Sequence, residues 1–481
     1  GTLNLAAQPT TRAIRARADT PDEINEMFDG IAYGKASDVL LTVENYVGEE
    51  TFRRGVQKYL EAHLYSNATA EDFWNAQTAT SHKPVDKIME SLIEQPGVPL
   101  LSFGEPGNGT ISVSQRRFFL SPSIAPDPSQ QWTLPVCFKT TSGQQCELLT
   151  PATTSLQVPA SAMFFANNGG KGYYRTAYTA STYHVLLAHA ESDLTPAERI
   201  SLIGDQWAQL RDNKTNVGAY LDLASAVKAD PYADVVGSVI GGVDAIYDRI
   251  AATPKEKLAL EAWTRATFAP EYAKIPAPSP GESPNLTELR ATLFGVLGGI
   301  GNDPTIVSQA RALAEKYLDN PASVNPSLGH TALAIAARHG DTTLFDRLQH
   351  VYETSTDPEL QIGALNLLAR FQNPQLAERA LKFAVSDKVR NQDAAIQLAI
   401  ALGNGQTRDI AWKFIQENWD KVHAQLTTNS GGYLVGASAS FCSPQARDNV
   451  KQFFTTHKVD AADASLRHAI EQINGCIELR A

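Results

Sequence analysis

Two histidines one helical turn apart, with a glutamate beside the first, would hold zinc and supply a general base. None of the ten histidines is followed by Glu, so that HExxH pattern is absent. His63, His82, His184 and His189 have no second histidine three or four residues on, and each reads as surface or core packing. There is also no GxSxG nucleophile elbow, no GxxxxGK[ST] phosphate loop and no GxGxxG fingerprint in a strand-turn-helix context. Tyr33, judged on spacing alone, is an aromatic at a helix start packing beside Phe28. The four cysteines form no CxxC pair and no His/Cys cluster of the kind that binds zinc. Cys137 and Cys146 flank Thr140–Gly143, a hairpin turn that could set them opposite each other, and Cys442 and Cys476 lie close to the C-terminus. Two disulfides, or four ordinary buried thiols, are both open on this spacing.

The residues that could do chemistry therefore need a scaffold, and composition bounds it. A length of 481 residues suggests about three domains. With 43% hydrophobic and 19% charged residues, the chain is too apolar for a disordered protein and should be soluble and globular. A net charge of −11 and a pI near 5.5 argue against nucleic acid as a partner, since phosphate backbones call for clustered Lys and Arg. The longest apolar stretch, Val235 to Ile246, is too short and too rich in glycine to span a bilayer. No signal peptide is visible at the start, and the opening without Met leads us to expect that something has been removed.

Three zones follow along the chain. Up to about Gln95 the pattern is helical: Thr20-Pro21-Asp22-Glu23 combines an N-cap, Pro at the first helical position and Glu three residues on. Ala36, Val39, Leu40, Val43 and Val47 then recur at helical spacing, with Gly48 to close that helix. From Leu100 to about Tyr178 short runs such as Thr110–Ser114, Arg117–Leu120 and Trp132–Phe138 read as strands, and prolines 122, 126, 128 and 135 disfavour a helix. This zone predicts a small β-sandwich. From about Thr182 to the end the pattern is helical, interrupted by an exposed Pro-rich spacer at Pro276–Pro284. Ala332–Arg338, Ala364–Arg370 and Ala395–Ala401 align at offsets of 32 and 31 residues, each followed by a second amphipathic stretch such as Leu344–Leu348. Stacked helix pairs of this period predict a HEAT-like α-solenoid with a concave wall. Gly329–Gly340 resembles an ankyrin repeat, but the next two units lack that signature, so HEAT-like stacking fits better.

Several segments, taken together, resemble the aminopeptidase N family of zinc peptidases. Asp19–Leu40 is similar to the stretch just downstream of the family's zinc site. Asn45–Leu60, His63–Trp74 and Gln95-Pro-Gly-Val-Pro99 follow in the family's order. Gly172-Tyr-Tyr-Arg175 resembles a strand of its β-sandwich, and Phe441-Cys-Ser-Pro444 and Gly475-Cys-Ile477 resemble its closing helices. The resemblance covers nearly the whole chain. It implies a mostly α protein with residues 1–98 as the helical tail of a thermolysin-like catalytic domain, 99–180 as a β-sandwich and 181–481 as a HEAT-like helical domain.

In that family HExxH and a further Glu supply zinc ligands and base, and a GxMEN loop binds the substrate's amino terminus; the resemblance puts these upstream of this sequence. It implies zinc in the parent enzyme and none in this chain, peptide substrates, and the missing N-terminal and catalytic domains as partners. Of the catalytic machinery it leaves Tyr33, on the family's Tyr-x-Lys-Gly position, as donor of a hydrogen bond to the oxyanion of the tetrahedral intermediate. Lys35 matches that motif, and Ala36 stands where Gly is usual. The chain is accordingly expected to be an inactive C-terminal fragment of an aminopeptidase. The rival expectation is a scaffold or peptide-binding protein with no catalysis, and a third is a nicked chain that stays bound to its N-terminal partner. The compartment stays open, with a lean to an extracytoplasmic one if Cys137–Cys146 and Cys442–Cys476 are disulfides.

Overall fold

The computed structural model describes residues 2–159, 163–427 and 430–480. It is mostly helical, with two small sheets, and divides into two compact units, Gly1–Asn216 and Val217–Ala481.

In the first unit, α1 (Thr2–Ala6) and α2 (Pro21–Glu26) precede a π-turn (Ile31–Lys35) that runs directly into α3 (Ala36–Val47). Three more helices follow, α4 (Glu49–Ala62), α5 (Ala70–Ser81) and α6 (Val85–Glu94). Local chemistry sets the starts. The Thr20 hydroxyl accepts from Glu23 N while the Glu23 carboxylate accepts from Thr20 N, and Pro21 occupies the first helical position. Thr69 and Asp72 make the same reciprocal cap on α5. Gly48 separates α3 from α4 at φ +91°, a conformation that residues with a Cβ rarely adopt.

Seven strands follow: β1 (Pro99–Phe103), β2 (Thr110–Arg117), β3 (Leu134–Thr140), β4 (Gly143–Leu149), β5 (Ser155–Gln157), β6 (Phe164–Phe165) and β7 (Arg175–Ala177). One sheet has the order β5-β2-β1-β7, with β7 parallel to β1, and the other has the order β4-β3-β6. The β3–β4 hairpin sets Cys137 directly opposite Cys146, and the two are bonded. The expected strand run at Arg117–Leu120 is only partly a strand. β2 ends at Arg117, after which Phe118 N donates to Val98 O and Leu120 N to Ala7 O, so both buried side chains close over the helices. Helices and both sheets share one core, in which Val39, Val43, Ile88 and Leu92 pack with Leu101, Val113, Phe138 and Tyr173. The unit ends in α7 (Ala180–Ala188), α8 (Ala190–Asp193) and α9 (Pro196–Arg211).

The second unit is helical among its described residues. Its helices repeat one starting device, a Ser, Thr, Asp or Asn cap followed by Pro, at Thr253-Pro254, Ser283-Pro284, Asp303-Pro304, Asn325-Pro326, Asp357-Pro358, Asn373-Pro374 and Ser443-Pro444. The aligned segments fall in helices Pro326–Arg338, Pro358–Leu368 and Asn391–Gly403, which pack in succession. Each also packs on the helix before it, Pro304–Asp319, Thr342–Thr354 and Pro374–Ala384 respectively. The Pro-rich spacer is exposed yet tied back, because the buried Arg290 pairs with Glu282 at 2.6 Å and donates to Pro276 O at 3.1 Å. Cys442 is bonded to Cys476 in the last helix, Asp463–Arg480. All four cysteines are thus in disulfides, and the four-thiol alternative gives way.

Candidate functional site

Tyr33 lies in the π-turn between α2 and α3. Wide turns of this kind, closed by an i→i+5 bond, are rare and frequently mark functional positions. Here the closing bond runs from Lys35 N to Gly30 O at 2.9 Å. Asp29 starts the turn by accepting from Ile31 N and Ala32 N, each at 2.9 Å. Arg12 holds Asp29 at 2.6 Å and also donates to Met27 O at 2.9 Å. Ile31 is buried under the turn. Ala36, where the family's motif usually has Gly, is ordinary right-handed helix at φ −62°, so a methyl group costs the backbone nothing there.

The Tyr33 ring is 64% exposed, with Phe28 beside it at a centroid distance of 6.4 Å and an interplanar angle of 34°. Phe28 and Ile24 are exposed as well, so the phenol stands on an open apolar surface of the first unit. Two residues further along the turn stands Lys35. That side chain is wholly buried, and its Nζ donates to Gln95 O at 2.8 Å and Gly97 O at 3.3 Å over the Tyr173 ring at 5.3 Å. Burial, with Arg117 and Arg12 nearby, pushes the amine down to about 7. The pattern around it foretells this burial only weakly: Lys35 lies four residues after Ile31 and four before Val39, on the apolar stripe of a helix.

The histidines stay apart. His63 stacks beside Tyr59 with Asp72 at 3.9 Å, His82 and His189 end helices, and His184 is exposed. Among the described residues no three His, Cys, Asp or Glu side chains form a group that could hold a metal ion.

The second unit contains a cavity of about 420 Å³ at the ends of its successive helices. Tyr247 lies between two cations there, Lys257 at 5.2 Å and Arg338 at 5.8 Å from its ring, and its hydroxyl donates to Glu261 at 2.9 Å. Asp244 is pushed up by burial and by Asp248, against the pull of Arg338. The sequence singled out none of these side chains, because Lys and Arg on a helical face look alike whether solvated or lining a cavity.

Residues 2–92 match the peptidase family M1 domain and residues 163–475 match the ERAP1-like C-terminal domain. The chain belongs to the M1, or aminopeptidase N, family. It is similar to Aminopeptidase 2, mitochondrial, of Saccharomyces cerevisiae, at 26% identity over 98% of this chain and 50% of the relative. Aminopeptidase M1 of Arabidopsis thaliana is 27% identical over 98% of this chain and 56% of its own length. Tricorn protease-interacting factor F2 of Thermoplasma volcanium is 26% identical over 88% and 50%. The chain thus spans about half the length of the curated relatives it matches.

Proposed function

We propose that this chain is the C-terminal part of a zinc aminopeptidase that removes residues from the amino ends of peptides, and that zinc and its ligands belong to polypeptide outside this sequence. Residues 1–98 are the tail of a thermolysin-like catalytic domain, 99–180 a β-sandwich and 181–481 a HEAT-like domain whose concave wall faces the peptide. The observation that carries the reading is the exposed Tyr33 phenol on its anchored π-turn. A phenol hydroxyl donates a hydrogen bond. Placed at the scissile carbonyl it donates to the oxygen as negative charge collects there, an interaction stronger in the transition state than in the bound peptide.

On this reading the isolated chain neither binds catalytic zinc nor turns over peptide. The two disulfides support an extracytoplasmic compartment. In the parent enzyme, Tyr33→Phe should lower kcat by roughly 10²–10³-fold, the usual effect of losing one oxyanion donor, with KM little changed. Unaltered kcat in that variant overturns the assignment of Tyr33. Stoichiometric zinc with aminoacyl-anilide turnover by the isolated chain overturns the fragment reading.

A further inference from the structure

Among the described residues the Tyr33 hydroxyl makes no hydrogen bond to the protein, so the backbone of the turn, with the Phe28 ring beside it, aims it. Side chains two apart do not share a helix face, and here one points out and the other in. Tyr33 is exposed while Lys35 is wholly buried beneath it. Among the described residues Lys35 has no carboxylate partner, although a buried cation is costly and is normally paired. Its three protons face two backbone carbonyls and an aromatic ring. Gly97 O also accepts from the Tyr173 hydroxyl at 3.2 Å, so the carbonyl that Lys35 grips is itself fixed.

We propose that Lys35 is the positioning residue for Tyr33: its buried ammonium, bonded to the Gln95 and Gly97 carbonyls, clamps the π-turn that carries the phenol, and the clamp loosens when the amine gives up its proton. The inference rests on the reading of Tyr33 as oxyanion donor for its relevance to catalysis, but the link between the two residues is testable without it. Hydrogen bonds from an ionised donor are about twice as strong as neutral ones, so a neutral amine still touches both carbonyls but grips them less. The groups that face Lys35 are Arg117 and Arg12, which repel its charge, and Tyr173, which senses Asp38, Arg175 and Arg117 in turn. No histidine is among them. Burial pushes Tyr173 well above the usual phenol range, leaving the amine, at about 7, as the side chain among these that changes charge near neutral pH; Asp38 also senses the N-terminal amine, and Lys35→Met separates the two titrations.

The test uses the full chain labelled at Tyr Cζ and Lys Nζ, with the Tyr33 and Lys35 resonances assigned by their loss in Tyr33→Phe and Lys35→Met. Both resonances should move together with pH, with a shared midpoint near 7. In Lys35→Met the Tyr33 signal should sit near its high-pH position at every pH, while the thermal melt shows that the chain is folded. A Tyr33 signal flat with pH in the wild type, or one that keeps its midpoint in Lys35→Met, overturns the proposal. Should Lys35→Met fail to fold, coincidence of the two wild-type midpoints decides the matter, and separate midpoints sink it. In the parent enzyme, Tyr33→Phe with full activity removes the oxyanion role and leaves the Lys35–Tyr33 link standing.

Discussion

In the first unit, charged side chains are buried in arrangements that each occur once: Lys35 under the π-turn, Arg117 over Gly97 with bonds to Gln8 O and Pro9 O, and Asp205 paired with Arg175 and bonded to Thr176. In the second unit four charged pairs tie alternate helices together, each with at least one exposed partner: Arg311–Asp341, Arg347–Asp319, Arg379–Asp346 and Lys388–Glu353. The polar work there is done by helix caps that repeat. The first unit thus relies on unique buried contacts. The second, built of successive packed helices, uses small contributions many times. Single substitutions should therefore cost more in the first unit than in the second.

The largest stability effect is expected at Asp205. Its carboxylate accepts from Arg175 at 3.2 Å and from Thr176 N at 3.0 Å, and burial pushes it above the usual carboxylate range in spite of Arg175. Asp205→Ala leaves a buried guanidinium with Asn4 as its main polar neighbour, and should cost about 3–5 kcal/mol in urea unfolding. A loss under 1 kcal/mol would erase the contrast between the units. Next is the Cys442–Cys476 disulfide, which closes a loop of 34 residues in the second unit. The double Ser variant should lose about 2–4 kcal/mol, and the denatured wild-type chain should show no titratable thiol.

Lys35 gives the first unit a signature in pH. Its folded pKa lies below the unfolded value, so the unfolded chain binds more protons between about 7 and 10.5, and stability rises as pH rises through that window. The slope from this one group approaches 1.4 kcal/mol per pH unit at its steepest, and Lys35→Met should remove it. The second unit holds the opposite case. Arg290 and Thr287 hold the Glu282 carboxylate down to about 2, so its contribution is present above the usual 4.5 and is lost as pH falls towards 2. Urea unfolding of Glu282→Gln between pH 2 and 7 should show a loss that fades at the acid end.

The contrast also explains what could be read in the amino acids. Repetition is legible: the offsets of 32 and 31 residues located the packed row of helices, and the Thr20-Pro21 cap was evident as a local pattern. The same cap-Pro pattern recurs at seven helices of the second unit and went unread in the sequence, although each instance is as local as Thr20-Pro21. Uniqueness is not legible. Tyr33 stood out through likeness to a family, since an exposed aromatic beside Phe28 has no spacing signal of its own. Burial of Lys35 depends on carbonyls 60 and 62 residues away, and the cavity at Tyr247 on cations from separate helices. Such contacts have no period, and short-range patterns do not encode them. The run at Arg117–Leu120 misled for a similar reason: aromatic residues favour strands, but here they leave the ladder to cover α1.

The smallest effect is also the one that tests the comparison most directly. Asp303 caps Pro304–Asp319 by accepting from Thr305 N at 2.9 Å and Ile306 N at 3.2 Å, and Asn373 caps Pro374–Ala384 by accepting from Gln375 N at 2.9 Å and Leu376 N at 3.2 Å. Truncating either to Ala frees backbone N–H groups that water can reach in part, so each should cost about 1 kcal/mol. The two caps share no partner, so the double variant should lose the sum of the singles to within about 0.5 kcal/mol, read from urea midpoints at constant slope. A double loss well beyond that sum would mean that the caps support a single cooperative arrangement. The second unit would then owe its stability to particular contacts, and its repeats would be a feature of its sequence more than of its energetics.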